Sequence, residues 1–140
     1  MATRSTIALE FADGTVGQVY CHWDGYLEHN GKILFENYQD PFKLQQLIDT
    51  GDLSVLHANI GEKHDFNERY EDGCTFYGRD RGEEGVNARY FKDFVDYERN
   101  HQYEEYEYIL RQVDGKAVWF VCYNDDGFIK LEEALKETAE

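Results

Sequence analysis

Two stretches of this chain alternate apolar and polar side chains, and each runs into an Asp-Gly pair. Nothing else in the sequence constrains the fold as strongly. Thr6-Ile7-Ala8-Leu9-Glu10-Phe11 leads into Ala12-Asp13-Gly14 and resumes as Val16-Gly17-Gln18-Val19-Tyr20-Cys21-His22-Trp23. Glu105 to Val113 leads into Asp114-Gly115 and returns as Ala117-Val118-Trp119-Phe120-Val121-Cys122-Tyr123. Successive side chains on a strand point to opposite faces, so a period of two marks a strand, and Asp-Gly marks a tight hairpin turn. Two β-hairpins are therefore predicted. In the first, Ile7, Leu9 and Phe11 face the core with Val19, Cys21 and Trp23 as their partners, which leaves Gln18, Tyr20 and His22 on the other face. The return strand of the second hairpin is apolar throughout and is expected to be central.

Helical signals lie between and after the hairpins. Ile33, Leu34 and Tyr38 are helically spaced within Lys32 to Tyr38. Asp40 is placed to cap a helix that begins at Pro41, carries Phe42, Leu44, Leu47 and Ile48 as its stripe, and stops at Gly51. Tyr90, Phe91, Phe94, Val95 and Tyr97 suggest a third helix of about ten residues. Asp125-Asp126-Gly127 turns the chain into a closing helix bearing Ile129, Leu131, Ala134 and Leu135. Residues 61–73 are polar and flanked by glycine, which predicts a loop; Cys74 to Tyr77 then reads as a short strand. Gly78 to Gly85 is a second loop, with three glycines able to supply positive φ. There is no repeated βαβ unit. The expected fold is a single α+β domain over residues 1–140, with a mainly antiparallel sheet built from two hairpins and helices packed on one face.

Charge then narrows the partners. The chain carries 29 acidic against 14 basic side chains, a formal charge of −15. The excess is spread: residues 1–60 hold 8 acidic against 3 basic groups, residues 61–100 hold 11 against 7, and residues 101–140 hold 10 against 4. Nucleic-acid affinity rests on Lys and Arg displacing counterions, so direct binding to nucleic acid is not expected. Aromatic residues make up 16% of the chain, far from the composition of a disordered acidic tail. Cys21, Cys74 and Cys122 are odd in number and widely spaced in apolar contexts, as suits buried thiols in a reducing compartment. The start of the chain lacks an apolar signal-peptide core and no long apolar run occurs, so a cytoplasmic protein without a membrane span is expected.

Two segments concentrate functional side chains. The first is Tyr20-Cys21-His22-Trp23-Asp24-Gly25-Tyr26, where a strand gives way to a loop. A nucleophile pair of Cys21 and His22 is disfavoured, because strand neighbours face opposite ways. His22, Asp24 and His29 are candidate ligands for a divalent metal, but their spacing matches no zinc pattern, and His57, His64 and His101 are scattered along the chain. No metal and no cofactor are expected. The second segment is Tyr77-Gly78-Arg79-Asp80-Arg81-Gly82-Glu83. Its guanidinium groups suit a phosphate or carboxylate, or else they pair with Asp80 and Glu83 to fix the loop.

GxGxxG, P-loop and GxSxG patterns are all absent, and no catalytic residue is assigned. The expected activity is binding, through His22, Trp23, Asp24 and Tyr26 with Arg79, Asp80, Arg81 and Glu83, of a small phosphorylated ligand or a partner protein. An acidic decoy that imitates nucleic acid toward a basic protein is the alternative, and the alternating run Tyr103-Glu104-Glu105-Tyr106-Glu107-Tyr108 could contribute a face to it. A hydrolase or transferase using His22 or Asp24 is the third reading.

The strings Met1-Ala2-Thr3-Arg4-Ser5-Thr6-Ile7-Ala8, Val19-Tyr20-Cys21-His22-Trp23-Asp24-Gly25-Tyr26 with Asn30-Gly31, and Tyr77-Gly78-Arg79-Asp80-Arg81-Gly82-Glu83 resemble a family of small uncharacterised proteins of tailed phages and prophages. The resemblance spans most of the chain up to about residue 110. It implies a bacterial cytoplasm during infection and a role in host takeover or defence evasion. It brings no catalytic residues.

Overall fold

Both alternating segments form hairpins. The computed structural model describes residues 2–101, 103–124 and 127–138. β1 (Ser5–Glu10) pairs antiparallel with β2 (Val16–Cys21), setting Ile7 opposite Val19 and Ser5 opposite Cys21. β6 (Tyr106–Val113) pairs antiparallel with β7 (Lys116–Cys122). The turn between them holds Asp114 at φ 51° and Gly115 at φ 80°. Two successive positive φ values are what a two-residue hairpin needs to match the strand twist.

The hairpins meet through a parallel contact, β1 beside β6, which joins residues about a hundred positions apart, from Ser5 opposite Tyr106 to Leu9 opposite Leu110. Four short strands extend the sheet. β3 (Leu53–Val55) runs parallel to β2, β4 (Thr75–Phe76) pairs with β3, β5 (Arg89–Phe91) with the Val16 end of β2, and β8 (Ile129–Lys130) with β7. Among the described residues the strand order is β4-β3-β2-β1-β6-β7-β8, with β5 attached to β2 outside that path. The α+β class holds. The sheet is mixed, however, and extends beyond the two expected hairpins. β1, not β7, takes the middle, because β7 has only the two residues of β8 on its far side.

α1 (Lys32–Asn37) follows a π-helical turn at Leu27–Gly31, and α2 (Pro41–Thr50) follows it. The Asp40 carboxylate accepts from the Phe42 amide at 3.0 Å, and Gly51 closes the helix at φ 102°. Leu44, Leu47 and Ile48 are buried, whereas Phe42 is 79% exposed. At about 100° per residue, Phe42 stands on the opposite side of the helix from Leu44, which removes it from the expected stripe. α4 (Phe94–Asn100) is shorter than expected, because Tyr90 and Phe91 belong to β5 and the Asp93 side chain caps the helix at the Asp96 amide, 2.8 Å away. Gly78 to Arg81, expected as loop, lie in the short helix α3 (Tyr77–Arg81), which ends on left-handed Gly82.

The two sheet faces are covered differently. Ile7, Leu9, Val19, Cys21, Tyr108, Leu110, Trp119 and Val121 pack against α1, α2, the π turn and α5 (Leu131–Thr138). On the other face Ala8, Val16 and Ile109 meet Tyr97 of α4, with Phe91, Phe94, Phe120 and Phe128 at the edges. Helices thus occupy both faces, which corrects the one-face expectation. Trp23, expected in the core, is 43% exposed and lies two residues beyond the end of β2 at Cys21. The turn expected at Asp125-Asp126 lies outside the described residues. No helix among them is long and apolar enough to cross a membrane.

Candidate functional site

Beyond Cys21 the chain stays beside β3, as the amides of His22 and Trp23 donate to the carbonyls of Leu53 and Ser54. Asp24 then turns at φ 57°, a value open to Asp because its short side chain tolerates the left-handed region. Gly25 follows, and a Cβ there would meet Ser5 Cβ at 2.7 Å. Buried Asn30 ties the segment down. Its amide nitrogen donates to Ser5 Oγ at 3.2 Å and to the Trp23 carbonyl at 3.3 Å, and its oxygen accepts from His29 Nδ1 at 2.9 Å. His29 is thereby oriented with Nδ1 toward Asn30.

The polar loop 61–73 faces this segment and closes on itself at its neck. Gly61 and Gly73 approach so closely that a Cβ on Gly73 would sit 2.5 Å from the Gly61 Cα. Within the loop, the Tyr70 ring stacks on His64 with centroids 3.8 Å apart, and Tyr70 Oη accepts from the Glu62 amide at 3.0 Å. Asp80 anchors the loop from α3. Its side chain is fully buried and accepts from the amides of Phe76 at 2.8 Å and His64 at 3.1 Å, and from Arg79 Nε at 3.0 Å. Burial pushes the Asp80 carboxyl up, but the Arg79 guanidinium and the two amides outweigh it and hold the group below the ordinary carboxylate value.

Between the two segments lies a cleft of about 330 Å³, lined by Asp24, His29, Ser54, Val55, His57, Phe66, Glu68, Arg69, Tyr70, Glu71 and Thr75. Three carboxylates face one guanidinium, and that guanidinium already pairs with Glu71 at 2.7 Å. Burial, and then the neighbouring His29, hold His57 below the ordinary imidazole value, against a smaller pull from Glu71. The cleft is therefore acidic, with neutral His57 near pH 7 and two aromatic rings, Phe66 and Tyr70, in its wall. Among the described residues no set of three His, Cys, Asp or Glu side chains is arranged to hold a metal ion.

The structure distributes the sequence-nominated residues unevenly around this cleft. Asp24 lines it, and Tyr26 stands 6.1 Å from the ring of His29, which also lines it. His22 and Trp23 lie outside the lining, His22 bonded through Nδ1 to Tyr20 Oη at 2.7 Å and set edge-on to Trp23. Arg79 points inward, donating to the carbonyls of Cys74 at 2.8 Å and Gly61 at 2.9 Å. Arg81 pairs with Glu83 and stacks on Phe66, 4.5 Å from its centroid, so the second segment reaches the cleft only through that ring. Ser54, His57, His64, Tyr70 and Thr75 were not singled out by the sequence. They come from three separate stretches, and no spacing marks them.

No family model, curated protein or solved structure matches this chain.

Proposed function

We propose that this is a phage-encoded binding protein of the host bacterial cytoplasm, working from the cleft beside Asp24, and that the group it accepts is a cation carried by a host protein. The observation that carries this reading is the lining itself: Asp24, Glu68 and Glu71 with the rings of Phe66 and Tyr70 around one cleft, and a single guanidinium already paired. Carboxylates and aromatic faces are the two features that recognise an Arg or Lys side chain. The overall charge of −15 adds long-range attraction for a basic partner. A phosphorylated ligand receives less support, because the N–H groups of Arg79 and Arg81 are directed to carbonyls and carboxylates of the chain itself.

Titration with an arginine-rich peptide tests the reading. The expected result is binding that weakens with salt and drops about tenfold for each of Asp24→Asn and Glu71→Gln, with Glu132→Gln on α5 as a control that changes little. Equal loss from cleft and control variants would support the acidic-decoy reading, in which charge acts over the whole surface. Unchanged affinity in both cleft variants would sink the cleft as the site.

A further inference from the structure

We propose that Thr75 is a nucleophile in this cleft, with His64 as its general base, and that it takes a small acyl group from a carboxylic ester. Thr75 lines the cleft from β4, and its Oγ1 lies 3.1 Å from His64 Nε2. The other ring nitrogen, Nδ1, lies 3.0 Å from the Glu62 carbonyl oxygen. That oxygen can only accept, so Nδ1 carries the proton and Nε2 presents its lone pair to the threonine hydroxyl. This is the tautomer a general base requires.

Two further features suit the task. Asp80 Oδ1, buried and hydrogen-bonded to Arg79, lies 3.6 Å from Nδ1, so a carboxylate stands beside the ring on the nitrogen that does not meet Thr75. The ring is also immobilised, stacked on Tyr70 with its side chain 9% exposed. Asp80 and the Glu62 carbonyl are positioning groups; Thr75 and His64 meet the reacting atoms.

As Thr75 Oγ1 bonds to the ester carbonyl carbon, its proton passes to His64 Nε2. The bond to the alcohol oxygen then breaks, and the alcohol leaves with that proton, giving acyl-Thr75. Water attacks the acyl carbon, gives a proton to Nε2, and Thr75 Oγ1 recovers it as the carboxylic acid departs. The cycle needs only water besides the ester. Thr75 is 7% exposed, which limits the acyl group to a small one. None of the reacting groups is one of the carboxylates of the cationic site, Asp24, Glu68 and Glu71, and the Tyr70 ring borders both.

The test is incubation of the full chain with p-nitrophenyl acetate, following nitrophenolate release and mapping the acetyl group by peptide mass spectrometry. Expected are one acetyl group on Thr75, labelling retained in Thr75→Ser, and labelling slowed about a hundredfold in His64→Gln. Acetyl found on lysines or tyrosines, with none on Thr75 of the wild-type chain, would overturn the proposal. So would equal labelling rates in wild type and a folded His64→Gln. Because the mapping is done on wild-type protein, a variant that fails to fold does not shield the idea.

Discussion

His101 and Glu107 form a buried ion pair that fastens the end of α4 to the second face of the sheet. His101 Nδ1 lies 2.5 Å from the Tyr97 carbonyl oxygen while Nε2 meets the Glu107 carboxylate, so the protonated ring finds an acceptor at each nitrogen. It lies between the rings of Tyr97 and Tyr103, with centroids 4.4 and 4.2 Å away. Burial disfavours the charge on His101, but the hydrogen bond and charge of Glu107 and the Tyr97 carbonyl outweigh it and raise the pKa above the ordinary imidazole value. The stabilisation is thus complete below the unfolded imidazole pKa and is lost as pH rises through the folded value. Urea titrations at a series of pH values should show this decline in the wild type. Glu107→Gln should lack it and be less stable by about 3 kcal/mol at pH 6.

Thr6 Oγ1 and Tyr97 Oη are buried with no hydrogen-bond partner among the described residues. An unpaired buried hydroxyl costs about 1–3 kcal/mol, so an isosteric apolar replacement should relieve it. Thr6→Val and Tyr97→Phe are each expected to raise the urea midpoint without changing the slope. A lower midpoint in both would show that the hydroxyls are satisfied in solution.

The crossing of Gly61 and Gly73 at the neck of loop 61–73 leaves no room for a side chain. Gly73→Ala should cost about 2 kcal/mol and pry the neck open. Limited proteolysis should then cut within residues 62–72 faster than in wild type, and the cleft should lose affinity with it. An unchanged cleavage rate would mean that the neck accommodates a methyl group.

Arg79 and Arg81 sit two residues apart and should behave differently. Arg79 satisfies buried Asp80 and the carbonyls of Ile60, Gly61 and Cys74, so Arg79→Ala leaves a buried carboxylate without its charged partner and should cost about 3 kcal/mol. Arg81 pairs with Glu83 at the surface and stacks on Phe66 and Tyr77, so Arg81→Ala should cost no more than about 1 kcal/mol. Thermal melts of the two variants side by side check the contrast.

Where structure follows from chemistry close along the chain, the sequence was sufficient. The two hairpins follow from alternation around Asp13-Gly14 and Asp114-Gly115, and α2 follows from Asp40, Pro41 and Gly51, because turn φ values and caps are satisfied by residues a few positions away. The same locality explains where reading by pattern went astray. Tyr90 and Phe91 fit a helical stripe, but pairing with Gly17 and Val16 of β2 drew them into a strand. Phe94 and Tyr97 were free to cover a sheet face that local patterning left open.

The candidate site belongs to the other category. Asp24 and Tyr26 stood out because they follow a strand end, and the arginine segment stood out because it is basic in an acidic chain. Their relation to each other is set by β3 and β4, two short strands whose pairing repays its loop-closure entropy only once the rest of the sheet exists. His64 meets Thr75 eleven positions along the chain, His57 and His29 line one cleft, and Asp80 reaches back to the His64 amide. The sequence by itself determined the α+β class, the two hairpins and the net acidic charge, since these rest on periodicity, turn residues and composition. Only the tertiary structure decided which histidines share a cleft, which arginine is spent on the fold, and which hydroxyl faces a free imidazole nitrogen, because those relations arise from contacts between distant segments that no local rule encodes.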